Sequence, residues 1–191
     1  MPTPARTSRD EIVAAGRAIL ALHGIEALTM QRVADRVGVR APSLYRRVAS
    51  RSALVQLVAA DVVDDVENRL ESAASTGDPR RDLRALALAL RDFALADPHS
   101  YELLFSPLPE DSAPDPASLA AAAAPVIRVA GALAGADQAL NAARTVTAWA
   151  SGFLRMELAG GFQLGGNVEE AFDFGIELLA KGLTTATSGG D

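Results

Sequence analysis

Arginine, hydroxyl and tyrosine side chains crowd one short segment of the N-terminal part of the chain. Arg40, Ser43, Tyr45 and Arg47 all occur within eight consecutive positions, 40–47. Guanidinium forks and hydroxyls on a narrow, exposed helix suit the phosphates and base edges of a DNA major groove. The segment therefore predicts a DNA-reading helix, and the rest of the chain would then have to dimerise it and sense a signal.

Two short helices are predicted before this segment. Ser8 and Glu11 form a capping box, in which each side chain satisfies the backbone amide of the other residue. The helix behind it is expected to stop at Gly24. Thr29 is the expected N-cap of the second helix, and Gly38 is expected to end it.

The arginine-bearing segment itself is predicted to be a third short helix. Pro42 suits a first helical turn, and Leu44 and Val48 would anchor the inner side of the helix. The second and third helices are joined by the turn at Gly38. Three short helices in this order predict a helix-turn-helix head.

Positive charge is concentrated in this head, although the formal net charge of the chain is -6. Residues 1–55 hold nine arginines against four acids, a balance of +5, whereas the remainder holds nine bases and twenty acids, a balance of −11. A basic head on an acidic body is typical of a DNA-reading module attached to a different domain. The nine arginines are Arg6, Arg9, Arg17, Arg32, Arg36, Arg40, Arg46, Arg47 and Arg51.

Capping residues also mark the starts of the later helices. Ser50 is expected to cap a long fourth helix, and Asp137 and Asn167 are expected to open the last two. Between them, an N-cap acid precedes a proline at the first helical position three times, in Asp78-Pro79, Asp97-Pro98 and Asp115-Pro116. The prolines at 107, 109, 114 and 116 predict a mobile loop that could act as a lid.

These patterns, with 49% hydrophobic residues and many strong helix formers, predict an all-α protein. We expect an N-terminal three-helix helix-turn-helix DNA-binding domain over residues 1–52. A helical-bundle ligand-binding and dimerisation domain is expected over residues 53–191. Small residues on the last two helices predict close helix packing and a homodimer through those helices, unless both helices bury against their own domain.

Five aromatic residues of the second domain are candidates for lining a ligand cavity. They lie on several separate helices, where the cavities of bundles usually form, but they fit an ordinary core equally well. Few charges fall on the inner faces of these helices, so the ligand is expected to be largely apolar. The five residues are Phe93, Tyr101, Phe105, Trp149 and Phe153.

Other site classes have little support in the residues. There is no cysteine, and His23 and His99 lack ligand-like spacing, so neither a metal site nor a cofactor is expected. No glycine-rich phosphate loop or nucleophile elbow follows a strand, so no catalytic residue and no enzyme activity are expected. The apolar tract Ala120–Ala124 stops at Pro125, and a cytoplasmic protein without a membrane partner is expected.

The order of residues across 8–55 resembles the TetR family of bacterial transcriptional regulators. The resemblance implies a homodimer that binds double-stranded operator DNA, most often as a repressor. It also implies that the DNA is released when a small-molecule effector enters the second domain. The matching positions are Gly24, Leu28-Thr29, Val33-Ala34-Asp35, Val37-Gly38-Val39, Ser43-Leu44-Tyr45, Arg51 and Leu54.

The same resemblance implies which residues touch DNA. Two contacts would come from the second helix and one phosphate contact from the start of the fourth, with the others on or beside the third helix. The implied residues are Thr29, Gln31, Arg40, Ala41, Pro42, Ser43, Tyr45, Arg47 and Arg51. Over 137–185 the chain is similar to one C-terminal ligand-binding subtype of the family, but it has Ser151 where that subtype commonly has histidine.

Two other classes of protein are also considered. An all-helical enzyme with a basic N-terminal extension would need a convergent set of titratable groups in the acidic domain, and none is evident. A non-specific architectural DNA-binding protein would carry basic charge over its whole surface. The acidic body of this chain argues against the second class.

Overall fold

Helices make up the regular structure of the computed structural model, which describes residues 8–186. No strand occurs in that range, so the all-α prediction is confirmed. The helices are α1 Arg9–His23, α2 Met30–Arg36, α3 Ala41–Tyr45, α4 Arg51–Ala73, α5 Pro79–Ala96, α6 Pro98–Phe105, α7 Pro116–Ala134, α8 Ala139–Leu158 and α9 Val168–Ala186. Short 3-10 turns lie at Ile25–Ala27 and Ala136–Gln138.

The described chain divides into two compact units. The head unit holds the described residues up to Asp65 together with Asp97–Leu119. The body unit holds Val66–Ala96 together with the described residues from Ala120 onward. Helix α4 belongs to both units, and the boundary between residues 52 and 53 stays a prediction.

Local capping decides where most of these helices begin. The capping box at Ser8 and Glu11 is confirmed, with the two backbone amides 3.1 and 2.8 Å from the opposing side-chain oxygens. Thr29 accepts from the amide of Arg32, and Asp97 accepts from the amide of Ser100. These oxygens satisfy amides that a helix leaves without intrahelical partners.

The same reasoning is confirmed at four other helix starts and is wrong at one. The side-chain oxygens of Ser50, Asp78, Asp115 and Asn167 each accept from a backbone amide of the helix that follows. Asp137 does not cap α8, because a 3-10 turn occupies its position and α8 begins at Ala139 without a side-chain cap.

The core of the head unit is built by α1–α4 with α6. Helices α1 and α4 approach closely at Gly16, where a Cβ atom would lie 2.5 Å from Cγ2 of Val58. Only a residue without a side chain permits this approach. The fully buried side chains include Ile12, Leu20, Leu28, Val33, Leu44, Leu54 and Val58.

The core of the body unit joins α5, α7, α8 and α9. Large side chains from α5, α8 and α9 fill its centre, and alanines let α7 and α8 pack closely. The buried residues include Leu83, Leu86, Phe93, Leu154, Phe172 and Ile176, with Ala130, Ala134, Ala142 and Ala143 in the α7–α8 contact.

Helix α7 continues through Pro125, which follows the alanine tract Ala120–Ala124 and lies inside the helix. Among the described residues, α7 is the one helix whose length and composition would allow it to cross a membrane. Core helices of soluble proteins pass the same test. In α7, Pro125, Val129 and Leu133 are buried inside the protein.

Candidate nucleic-acid interface

The turn between α2 and α3 orients the arginine-bearing helix. Gly38 has a φ of 72°, in the left-handed region that favours glycine, and the amide of Val39 donates to the carbonyl of Ala34 at 2.9 Å. After the turn, Leu44 is fully buried and Val48 is 3% exposed. Because these two side chains point inward, the intervening polar residues point to solvent.

The predicted DNA contacts of α3 lie on this outward face. Pro42, Ser43 and Arg47 are exposed, and Tyr45 is 51% exposed despite its large ring. Arg40, the N-cap residue of α3, is exposed as well, and Ala41 is partly buried. An exposed aromatic ring between hydroxyl and guanidinium groups suits contact with a nucleic-acid backbone.

The two predicted contacts from α2 are already engaged within the protein. Thr29 caps α2 through its hydroxyl. The side-chain amide of Gln31 donates to Asp35 at 2.7 Å. The neighbouring Arg32 and Arg36 are exposed.

Arg51 joins the start of α4 to the backbone of the segment before α2. Its Nε donates to the carbonyl of Leu28 and its Nη2 to the carbonyl of Ile25, both at 2.9 Å. A charged donor that binds two backbone carbonyls stabilises this junction. The predicted phosphate contact of Arg51 stays a prediction, and it would have to use the other N–H groups of the guanidinium.

The arginines of the head unit divide into structural and exposed groups. Arg17 pairs with Asp61 and Asp65 at 3.5 and 3.2 Å and serves the packing of α1 on α4. Within the described part of the chain, no ion pair engages the exposed Arg32, Arg36, Arg40, Arg46 and Arg47. Arg46 is exposed beside Arg47 and was not among the predicted contacts. Arg6 lies outside the described residues.

The predicted ligand-binding aromatics pack against other aromatic side chains or against arginine. In the head unit, the rings of Tyr101 and Phe105 are 5.0 Å apart. In the body unit, the rings of Trp149 and Phe153 both lie 5.1 Å from that of Phe172. Such separations are typical of packed aromatic pairs.

Two further contacts describe how these aromatic residues are held. The indole of Trp149 lies directly against Gly175, where any Cβ atom would clash with it. Phe93 is 2% exposed and has the guanidinium of Arg69 5.6 Å from its ring centre. The role of these side chains as ligand contacts stays a prediction.

A charged pair inside the body unit was missed by sequence reasoning. Arg91 on α5 donates twice to Glu157 on α8, at 2.6 and 3.0 Å, with both side chains almost buried. These hydrogen bonds raise the pKa of Arg91 above its usual value. Both carboxylate oxygens of Glu157 accept from this guanidinium fork.

Metal-site geometry is not found in the described range 8–186. No group of three or more His, Cys, Asp or Glu side chains there could hold an ion. His99 faces Glu102 at 3.9 Å and lies against Gly24.

Comparison with family models matches both parts of the chain. Residues 12–58 match the model described as bacterial regulatory proteins of the tetR family. Residues 83–179 match the model described as the tetracyclin repressor-like C-terminal domain. The second match alone covers more than half of the chain.

Individual relatives agree with these models. An uncharacterized HTH-type transcriptional regulator of Mycobacterium tuberculosis is 32% identical over 160 residues, 82% of this chain and 73% of that protein. The HTH-type transcriptional activator FasR of Mycolicibacterium smegmatis is 32% identical over 103 residues, 53% of this chain and 47% of its own length. The solved structure of the regulatory protein SCO4313 has a TM-score of 0.75 at 29% identity, covering 97% of this chain and 100% of that one.

Proposed function

Because the chain belongs to the TetR family of transcriptional regulators, we propose that it is a cytoplasmic repressor that releases its operator when a small, largely apolar molecule binds. The observation that carries the DNA-binding part is the outward face of α3 and of the residues directly after it. There the side chains of Ser43, Tyr45 and Arg47 are exposed to solvent. Helix α3 would enter the major groove, with the exposed arginines on either side meeting phosphates.

The proposed DNA-binding residues differ in the part of the DNA that each would contact. Tyr45 and Arg47 are exposed and would contact base edges or the adjacent phosphates. Arg40 and Arg46 would hold phosphates beside them, and Arg51 would act mainly by positioning α4. No catalytic step, cofactor or metal is assigned to the chain.

The proposed regulator is a homodimer that pairs through α8 and α9, so that two copies of α3 can bind the two halves of one operator. Phe174 and Leu178 are 70% and 59% exposed, one helical turn apart on α9, and Met156 on α8 is 51% exposed. Exposed apolar side chains at this density mark an interaction surface. A two-fold dimer would place two copies of α3 about one DNA turn apart, at successive major grooves.

The test is selection of bound fragments from a genomic DNA library, followed by fluorescence anisotropy with the selected sequence. We expect a palindromic site that is preferred over random DNA by at least about a thousandfold at fixed salt. Equal competition by random DNA would instead identify an architectural DNA-binding protein and overturn the proposal.

The direction of regulation is tested separately with a reporter gene behind the selected site. A repressor lowers expression from that promoter, and deleting the regulator gene raises it. The opposite response would place the chain with activators, the class to which the relative FasR is assigned by its name.

A further inference from the structure

Helix α9 carries two apolar faces, one packed inside the body unit and one exposed. Phe172 and Ile176, which form the inner face, are one turn apart and are 0% and 1% exposed. Phe174 and Leu178, which form the outer face, are also one turn apart and are 70% and 59% exposed. Since successive helical residues lie about 100° apart, the two faces point in nearly opposite directions. The hydrophobic effect is non-directional, so it does not by itself decide which face is buried.

Two arginines on one side of α5 bind the two helices of the proposed dimer interface. Arg84 and Arg91 are seven residues apart, which is about two helical turns. Arg84 donates to Asp173 on α9 at 2.7 Å. Arg91 donates to both carboxylate oxygens of Glu157 on α8, and its guanidinium lies 5.6 Å from the ring centre of Phe172. Helix α5 is therefore joined through these arginines to both α8 and α9.

The contact of Arg84 fixes how α9 is rotated about its own axis. Asp173 directly precedes Phe174, so that holding Asp173 against α5 turns Phe174 about 100° away from this contact. Glu169 and Glu177 lie one turn before and one turn after Asp173 and add to the negative charge near Arg84. Rotation of α9 by roughly half a turn would bury the outer face instead. It would also carry all three carboxylates away from Arg84.

The contact of Arg91 fixes α8 in the same way. Arg91 and Glu157 are only 12% and 13% exposed, so neither charge can lose its partner without a large desolvation cost. Met156, the neighbour of Glu157, is 51% exposed. Apolar side chains in place of such a buried pair often leave stability unchanged, which directs attention to the packing that the pair specifies.

We propose that Arg84 and Arg91 are positioning residues that select the dimerisation face. By holding Asp173 and Glu157 against α5, they keep the inner face of α9 within the protein and leave the outer face to a second copy of the chain. The inference rests on the proposed function for the dimer, whereas the choice of face is a property of the single chain.

The test replaces both ion pairs by apolar side chains of similar length. Arg84→Met, Arg91→Met, Glu157→Met and Asp173→Met together form the uncharged variant, in which no buried charge is left without its partner. Each pair is also removed separately, Arg84 with Asp173 and Arg91 with Glu157. The two separate variants keep the test decisive if the fourfold variant fails to fold.

A single thiol reports which face of α9 is buried. Because the chain contains no cysteine, Ile176→Cys supplies the one site for a maleimide. This thiol should react slowly in the otherwise unchanged chain and lose its protection in the uncharged variant, as the inner face turns toward solvent. Ala130→Cys, at a position of α7 that is 0% exposed, is the control reporter and should stay protected in both.

Analytical ultracentrifugation measures the consequence for the dimer. The uncharged variant should dimerise at least about tenfold more weakly, a loss of about 1.4 kcal/mol, because the outer face is no longer presented by every chain. Arg128→Met with Glu71→Met is the matched control. It removes a similar fork, at 3.0 and 3.1 Å, that joins α7 to α4, and it should leave dimerisation unchanged.

The inference is overturned by any of three results. Continued protection of Ile176→Cys, or unchanged dimerisation, in the uncharged variant would show that packing such as that of Gly175 on Trp149 selects the face without the arginines. Equal loss of protection at Ala130→Cys would show that the arginines only stabilise the body unit as a whole. Equally weak dimerisation in the control variant at Arg128 would show a general effect of lost charge.

Failure of the proposed dimer gives a different result. A wild type that is monomeric at micromolar concentration would refute the dimer. The labelling of Ile176→Cys would still show whether the two arginines select the buried face of α9.

Discussion

At the scale of single residues, the outward side chains of the head differ in whether they already form hydrogen bonds within the protein. Tyr45 and Arg47 are exposed and engaged by nothing in the described residues. Gln31 and Arg51 are also exposed but already donate to Asp35 and to backbone carbonyls. The energy of DNA binding should therefore concentrate on the first pair.

Alanine substitution of Tyr45 or of Arg47 should weaken operator binding by about 1–3 kcal/mol, the loss typical of a direct contact. Each substitution leaves the core intact, because neither side chain is buried. Fluorescence anisotropy gives the affinities, and thermal melting checks that the fold is unchanged. Unchanged affinity in both variants would show that this face of α3 does not meet DNA.

Arg51→Ala should affect stability as well as binding. Removal of the guanidinium leaves the carbonyls of Leu28 and Ile25 without their charged donor, at a cost of about 1–3 kcal/mol. If Arg51 also holds a phosphate, the variant should bind all sequences more weakly and its logarithmic salt dependence should flatten by about one. Chemical denaturation and a salt titration separate the two effects, and an unchanged stability would contradict the bridging role.

At the scale of elements, close helix approaches and polar caps hold the pieces that present these residues. Helix α1 is seated on α4 through Gly16, and the turn between α4 and α5 is closed by the buried Asp82. The Gly16 contact and the Asp82 hydrogen bonds each join two helices. Losing either should therefore lower the free energy of unfolding, with little direct effect on the DNA-facing side chains.

Gly16→Ala should destabilise the head by about 1–3 kcal/mol, because the new methyl group meets Val58 and forces α1 from α4. Adding Val58→Ala should recover part of the loss, since the two side chains interact directly. Urea denaturation measures both. Gly182→Ala, in a helix with open space at the Cβ position, is the matched control and should be neutral or stabilising.

The carboxylate of Asp82 predicts a pH-dependent contribution to stability. The hydroxyl of Thr76 donates to it at 2.6 Å, and the amides of Thr76 and Gly77 donate at 2.9 and 3.2 Å. The hydrogen bonds from Thr76, the hydroxyl first, hold the pKa of Asp82 below its ordinary value. Because the folded pKa is lower than the unfolded one, the contribution is complete above the unfolded pKa and is lost as pH falls through the folded pKa.

Asp82→Asn should therefore melt below the wild type at pH 7, and the gap should close as the pH is lowered from about 4. Thermal melts across this range measure the gap. The exposed Asp137→Asn is the control and should melt with the wild type at pH 7. A gap for Asp82→Asn that stayed constant at every pH would show that the charge of the carboxylate is not what stabilises the turn.

At the scale of the whole molecule, the proposed DNA-reading and dimerisation surfaces lie at different ends of the sequence. The basic, exposed arginines belong to the head unit, whereas the exposed apolar side chains of α8 and α9 belong to the body unit. Helix α4 is a single helix shared by the two units.

Phe174→Glu with Leu178→Glu should convert the dimer to a monomer, because two charges would be buried against apolar surface in the interface. Operator affinity should fall with it, since one head meets only one half-site. Analytical ultracentrifugation gives the oligomeric state. Leu22→Glu, at a 66% exposed leucine in the head unit, should remain dimeric. A monomeric wild type at micromolar concentration would contradict the dimer itself.

The sequence alone determined the helical class, the helix-turn-helix head and most helix starts of this protein. Caps such as Ser8 with Glu11, and Asp97 before Pro98, act over three residues and can be recognised without knowing what surrounds them. The turn at Gly38 is likewise local, because its backbone conformation depends on the residue itself. Family resemblance in the head then indicated which exposed side chains to examine.

Only the tertiary structure decided which partners Arg51, Arg91 and Gln56 have. Arg51 reaches a carbonyl 26 positions away, Arg91 meets Glu157 66 positions away, and Gln56 meets Ala113 57 positions away. No periodicity or capping pattern encodes such pairs, since they depend on how separately formed helices pack.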